Sequence, residues 1–233
     1  MPLRLLVPRI RPLHLLRALL DQEKFARDCQ PPSLVSKIAK RFFDCACATV
    51  GIIAVSWIVI PCWLIATIST GANGIFAQQR VGRDGKFFRL FKLRSMRDIH
   101  GMTTTVTAAN DQRITKFGSF LRTTKLDELP QLLNVLMGQM SFVGPRPDVV
   151  GWADELSGED KVILEMRPGI TGPASIFFRN EEQLLEDASD AEAYNRDTIW
   201  PQKVAINRQY YYQQSFVKDL AYLLRTVLPS RDR

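Results

Sequence analysis

The chain has 233 residues, 46% of them hydrophobic, and a net charge of +7. That length allows one ordinary domain with its own core, or a small domain plus an anchor, and the apolar content is that of a folded protein. Residues 1–41 carry +6 of the charge and the rest is nearly neutral, which argues against a globular nucleic-acid-binding face and for a basic segment beside an anionic membrane surface.

In chain order, the first 20 residues, MPLRLLVPRIRPLHLLRALL, are basic and leucine-rich. Arginines interrupt every apolar stretch and no small-residue cleavage site follows, so an interfacial arm or an extension fits better than a signal peptide. Pro31-Pro32 reads as a linker, and residues 1–36 are expected to form a basic N-terminal extension.

No charged residue lies between Asp44 and Arg80. The apolar run there, about 25 residues, is long enough to cross ~30 Å of hydrocarbon. Basic residues flank both ends, Lys37, Lys40 and Arg41 before it and Arg80, Arg83 and Lys86 after it, and the positive-inside preference asks both flanks to stay on one side. Pro61 inside the run removes a helical hydrogen bond and costs a straight helix ~3 kcal/mol. Two readings fit: a re-entrant hairpin over 37–73 with its break at Pro61, or a kinked transmembrane helix. Cys45, Cys47 and Cys62 fall in the run and read as small buried hydrophobes, and no Cys/His spacing suits zinc.

Beyond the anchor, GIFAQQRVGRDGKFFRLFKLRSM predicts a short basic β-hairpin turning at Gly82-Arg83-Asp84-Gly85. Residues 100–110 are polar and threonine-rich and read as a loop. RITKFGSFLR then sets Ile114, Phe117 and Leu121 on one helical stripe, either an interfacial helix or an ordinary amphipathic core helix.

The block RTTKLDELPQLLNVLMGQMSFVGPRP places adjacent carboxylates, Asp127 and Glu128, ahead of an apolar helix and a Gly-Pro-Arg-Pro turn. Neighbouring carboxylates repel and need cations, which Arg122, Lys125, Arg146 or a divalent metal could supply. One carboxylate could attack phosphorus while the other holds the metal. The plain alternative is a helix start, with Thr124 and Asp127 as a capping box and Gly138 as the stop. Pro145 and Pro147 stiffen the chain around Arg146, which suits a phosphate ligand or a helix-capping arginine. A helix near residues 159–166 stops at Arg167-Pro168-Gly169, and further helices are expected over 200–212 and 216–227.

Taken in order, Lys40-Arg41 and Asp44 before an apolar segment containing Pro61, Gln79-Arg80-Val81-Gly82, Lys92-Leu93-Arg94-Ser95-Met96, LDELPQLLNVLMGQMSFVGPRP and RPGITG closely resemble the monotopic phosphoglycosyl transferases, a bacterial sugar transferase family. The resemblance covers roughly residue 40 to the C-terminus. It implies an α+β, mainly helical fold: a re-entrant membrane helix hairpin, and a cytoplasmic-face catalytic domain over 74–233 with a small β-hairpin and interfacial amphipathic helices. It implies transfer of a sugar 1-phosphate from a UDP-sugar donor to polyprenyl phosphate, with UMP released, at the bacterial inner membrane.

By the same resemblance Asp127 is the nucleophile and Glu128 the Mg²⁺ ligand, with Asp127 beside the metal. Lys92, Arg94, Arg122, Pro145, Arg146, Arg167 and Thr171 are expected to contact substrate. The chain departs from the family pattern at Ile60, where Ser often precedes the proline, at Leu93, and after Gly172. A phospholipid membrane, a homodimer through the C-terminal helices and downstream glycosyltransferases are the expected partners, with no nucleic acid. The competing readings are a catalytically silent membrane scaffold of the same fold and a basic membrane-surface binding protein.

Overall fold

The computed structural model describes residues 33–98 and 112–228. The N-terminal arm, the Pro31-Pro32 linker and the threonine-rich loop expected above lie outside the described residues. Among the described residues the fold is mainly helical, with two small two-stranded sheets.

Helix α1, Leu34–Thr70, begins at Ser33, whose hydroxyl accepts the Ser36 N–H at 3.2 Å, and stops at Gly71, which is left-handed (φ 73°) and donates to the Thr67 carbonyl. Pro61 lies inside it and the helix continues on both sides. Its missing N–H therefore removes one rung without ending the helix. Asp44, Ala48, Cys62 and Ala66 face the protein and are buried, while Val50, Ile53, Trp57, Ile60, Leu64 and Ile68 are exposed. The helix thus has one face packed on protein and another of large apolar side chains that no described residue covers.

Strands β1, Ile75–Val81, and β2, Phe87–Leu93, form the expected antiparallel hairpin, in register from Ile75 opposite Leu93 to Val81 opposite Phe87. Asp84 and Gly85 both take positive φ, 59° and 72°, which Asp-Gly supplies at low steric cost. Phe88 and Leu90 turn inward onto Ala48 of α1 and onto Val135 and Met140. Farther along β2, Leu93 packs with Cys62, Ala66 and Leu121, so the hairpin lies along the inner face of α1.

Helix α2, Lys116–Thr123, is capped by Thr115, whose hydroxyl accepts the Gly118 N–H at 2.8 Å. Helix α3, Gln131–Leu136, follows a tight turn and is locked to β2 by one fully buried side chain, Asn134. The Asn134 amide accepts the Phe91 N–H at 3.0 Å and donates to the Arg89 and Gln139 oxygens, both at 2.7 Å. Arg41 of α1 donates to the Val135 and Leu136 carbonyls, filling acceptors that the end of α3 leaves open.

Strands β3, Ser141–Val143, and β4, Gly169–Thr171, pair in parallel. Their junction needs glycine on both sides, because a Cβ on Gly169 would stand 2.2 Å from the Gly144 nitrogen. The short helices α4, Pro173–Phe177, α5, Glu181–Glu186, and α6, Ala191–Tyr194, follow, and then α7, Trp200–Gln213, and α8, Phe216–Val227. Val204, Tyr210 and Tyr211 of α7 join Val143, Ile163 and Met166 in a second core. Asp219 of α8, itself buried, pairs with Lys40 of α1 and accepts the Tyr210 hydroxyl at 2.5 Å.

Candidate active site

The carboxylate pair sits on a turn of unusual backbone. Helix α2 closes at Thr124, whose hydroxyl donates back to the Phe120 carbonyl at 2.7 Å, and Lys125 then adopts a left-handed conformation, φ 57°. Thr124 therefore ends the preceding helix, which corrects its reading as the capping residue of the next one. A non-glycine residue held in that region is a local strain that the surrounding structure must enforce. A single turn of 3₁₀-helix, Leu126–Glu128, follows, closed by the Leu129 N–H on the Leu126 carbonyl at 3.2 Å. Asp127 and Glu128 stand on this turn, ahead of Pro130 and α3, and below the end of β2.

Glu128 is held from two sides. Its Oε1 accepts Lys92 Nζ of β2 and Arg146 Nη2 of the Gly-Pro-Arg-Pro segment, each at 3.3 Å. Burial works to raise its carboxyl, but Lys92 and Arg146 outweigh it and hold Glu128 below the usual glutamate range. Asp127 has the opposite balance. It is 8% exposed, its Oδ1 makes no hydrogen bond, and burial pushes its carboxyl above the ordinary 3.8 despite Lys92, Lys125 and Arg122. Glu128 adds to the upward shift. Burial in turn lowers the Lys92 ammonium, with Glu128 opposing it. Two adjacent acids are thus driven apart by their surroundings, the arrangement expected where two carboxylates take different roles.

A second arginine completes the basic wall. Arg80 on β1 donates to Gln78 at 2.7 Å and to the Pro147 carbonyl at 3.3 Å, leaves its Nε without a partner, and is pushed down to about 10 by burial and by Arg146. The Val81 N–H donates to the Asp148 carbonyl at 3.0 Å, stitching the hairpin to the arginine-bearing segment. Burial pushes the Asp148 carboxyl up to about 6, against Lys203, Arg80 and Arg146. Neither Arg80 nor Asp148 was singled out from the sequence. The signal for Arg80 was its place in Gln79-Arg80-Val81-Gly82, whereas Asp148 had none.

Of the expected site residues, Lys92, Arg146, Asp127 and Glu128 come together, and Arg122 adds positive field at Asp127. Pro145 is buried and its carbonyl accepts the Gly169 N–H at 2.7 Å, fixing the segment that presents Arg146. The remaining three are engaged elsewhere. Arg94 donates to the Asn73 carbonyl and to Asp98 and lies over the Phe76 ring at 5.4 Å. Arg167 donates to the Gly138 carbonyl at 2.9 Å, and the Thr171 hydroxyl pairs with Thr226 at 2.7 Å.

Among the described residues no cluster of three or more His, Cys, Asp and Glu side chains could cage a metal. Mg²⁺ does not ask for one, since it is commonly held by one or two carboxylates with substrate phosphates and water completing the octahedron. The unpartnered Asp127 oxygen beside Glu128 fits that donor set.

Residues 35–230 match the family profile described as bacterial sugar transferase. Among similar proteins is a galactosyl transferase, CpsE, of Streptococcus agalactiae, 38% identical over 178 residues, which are 70% of this chain and 39% of that protein. A UDP-glucose:undecaprenyl-phosphate glucose-1-phosphate transferase of Escherichia coli is 37% identical over 180 residues, 73% of this chain and 39% of that protein. The exopolysaccharide production protein ExoY of Sinorhizobium fredii is 30% identical over 209 residues, 83% of this chain and 85% of that protein. The match thus spans about two fifths of the first two relatives and most of the third.

Proposed function

The chain belongs to the bacterial sugar transferase family, and from that premise we propose that it transfers a sugar 1-phosphate from a UDP-sugar to undecaprenyl phosphate at a membrane surface. The observation that carries this reading is the divided pair of carboxylates: Glu128 paired through Oε1 with Lys92 and Arg146, and Asp127 buried with an unpartnered oxygen. A carboxylate oxygen without a hydrogen bond keeps its lone pairs for attack, and burial strips the water that would blunt it.

In this proposal an Asp127 oxygen attacks the phosphorus that bears the sugar. The new bond is Asp127 O–P, the bond broken is that from the same phosphorus to the bridging oxygen, and UMP departs with the bond electrons. An oxygen of undecaprenyl phosphate then attacks the same phosphorus and the Asp127 carboxylate leaves, giving undecaprenyl-diphosphate-sugar. Lys92, Arg146, Arg80 and Arg122 supply fixed positive charge where oxygens become more negative, without reorganising at the moment of reaction. Mg²⁺, held by Glu128 with Asp127 beside it, would neutralise diphosphate charge when bound. The relatives named for glucose and for galactose leave the sugar to be identified by experiment.

We also propose that α1 is embedded in one leaflet of the bacterial inner membrane without crossing it, leaving both of its ends and the body on the cytoplasmic face. Two observations support this. The helix exposes a long apolar face, and both of its limbs bind the same polar body. Near its start Arg41 holds the end of α3 and Asp44 accepts the Phe142 N–H. Near its end the Thr67 hydroxyl accepts the Gly74 N–H and the Ser69 carbonyl accepts from Arg97. A helix crossing the bilayer would carry one set of these contacts to the far side.

Intact-protein mass spectrometry in nanodiscs with Mg²⁺ and a panel of UDP-sugars tests the chemistry. Wild type should gain the mass of one sugar phosphate and lose it on adding undecaprenyl phosphate, while Asp127→Asn gains nothing. Turnover without an adduct would replace the two-step route by direct transfer, and neither adduct nor UMP would favour a catalytically silent scaffold.

A further inference from the structure

Beside the cations of the dyad lies a second tier of charge that the proposed chemistry does not use. Asp148 directly follows the Gly-Pro-Arg-Pro segment, and its carboxyl is faced by Arg80 of β1, by Arg146, by Lys203 of α7 and by Glu181 of α5. The main chain is fixed there: the Val81 N–H donates to the Asp148 carbonyl at 3.0 Å, and Arg80 Nη1 donates to the neighbouring Pro147 carbonyl at 3.3 Å. From the other side, Lys203 Nζ pairs with Glu181 Oε1 at 2.6 Å and stands 5.9 Å from the centre of the Phe178 ring. Both contacts hold the ammonium in place.

Arg80 and Arg146 are like charges near enough to oppose each other, and burial adds to the cost at Arg80. Two acids, Glu128 and Asp148, bear on both arginines. Glu128 belongs to the dyad and is bound to Lys92 as well, so a diphosphate arriving there competes with it for the same guanidinium groups. Asp148 stands toward α7 with Lys203, away from that rivalry. Arg146 depends on it most. Its side chain is 48% exposed and its tip reaches Glu128 across 3.3 Å, while the flanking prolines fix its backbone but not its side-chain torsions.

We infer that Asp148 is a positioning residue for the basic wall: its carboxylate holds the Arg80 and Arg146 guanidinium groups together as one clamp for the diphosphate of the donor. Resting on the UDP-sugar reading above, this role adds to it the group that keeps the clamp assembled while Glu128 is contested.

The test is equilibrium binding of inorganic pyrophosphate and of UDP to the full chain in nanodiscs, for wild type, Asp148→Asn and Asp148→Glu, from about pH 5 to about pH 8. The sign separates positioning from mere proximity, because removing a nearby negative charge by itself tightens anion binding, whereas removing the brace weakens it. At about pH 8, Asp148→Asn should bind pyrophosphate about fivefold or more weakly than wild type, and Asp148→Glu should stay within about twofold of it. Burial pushes the Asp148 carboxyl up to about 6. The wild-type advantage, present above that value, should therefore shrink as pH falls below it until wild type matches Asp148→Asn, and protonation of pyrophosphate itself cancels in the ratio. A variant damaged in its fold would instead be weak at every pH. Equal or tighter binding by Asp148→Asn would overturn the role, as would a weakness that neither varies with pH nor is relieved in Asp148→Glu. Wild type that binds UDP no better than pyrophosphate would overturn the nucleotide-sugar reading, and the pyrophosphate comparison would still decide the role of Asp148.

Discussion

Asp127 and Glu128 are chemically near-identical neighbours, and what distinguishes them is which cations their side chains reach. Lys92 is the strongest influence lowering the Asp127 carboxyl, which burial holds above the ordinary 3.8. Attack requires the ionised form, so the rate should fall as pH drops through this raised value, earlier than for an exposed aspartate. Lys92→Met removes the lowering charge. Its acid limb should therefore move to higher pH, with a loss of about a hundredfold in rate at neutral pH, read from initial-rate profiles in a UMP-release assay. An unmoved acid limb would mean that a group other than Asp127 sets it. The pair and Arg146 were legible in sequence because adjacent carboxylates followed by Pro-Arg-Pro are rare in ordinary packing. Arg80 was not, since one arginine in a basic hairpin looks like its neighbours until the fold buries it. Arg167 and Thr171, expected at the substrate, make contacts with the Gly138 carbonyl and with Thr226, which the sequence did not foretell because those partners lie far off in the chain.

At the scale of elements, local signals carried furthest where they were strongest. The Asp-Gly turn and alternating pattern gave the β1–β2 hairpin, and the apolar periodicity gave α7 and α8 close to their observed ends. The parallel pairing of β3 with β4 escaped, because three-residue strands carry no period and their partners lie far apart in the chain. Thr124 escaped as well: its hydroxyl serves the helix behind it, a choice made by Lys125 turning left-handed. The element that most depends on one side chain is α3, clamped to β2 by Asn134. Asn134→Leu would strand the buried Phe91 N–H and Arg89 carbonyl, at a cost on the order of 3 kcal/mol. The melting temperature of the solubilised protein should drop by roughly 5–10 °C. A drop of a degree or less would show that water or a repacked Gln139 replaces the clamp.

For the whole molecule, the governing relation is between α1 and the body it carries. If both limbs lie on one side, cysteines introduced at Lys37 and Ala72 should both resist a membrane-impermeant maleimide in intact spheroplasts and both react after permeabilisation, measured against the parent chain. Labelling of only one from outside would establish a spanning helix. The fold also ties its first described helix to its last, through Lys40 and Asp219, 179 residues apart. Ribosomes add roughly 5–20 residues per second, so Lys40 is made about 10–35 s before its counter-ion exists. During synthesis the early limb has no carboxylate from α8 to settle against, and arrival of the last helix is the event that fastens it. A chain cut short before residue 219 would therefore lack the one carboxylate that both pairs with Lys40 and accepts the Tyr210 hydroxyl, leaving α1 and α7 without their shared tie to α8.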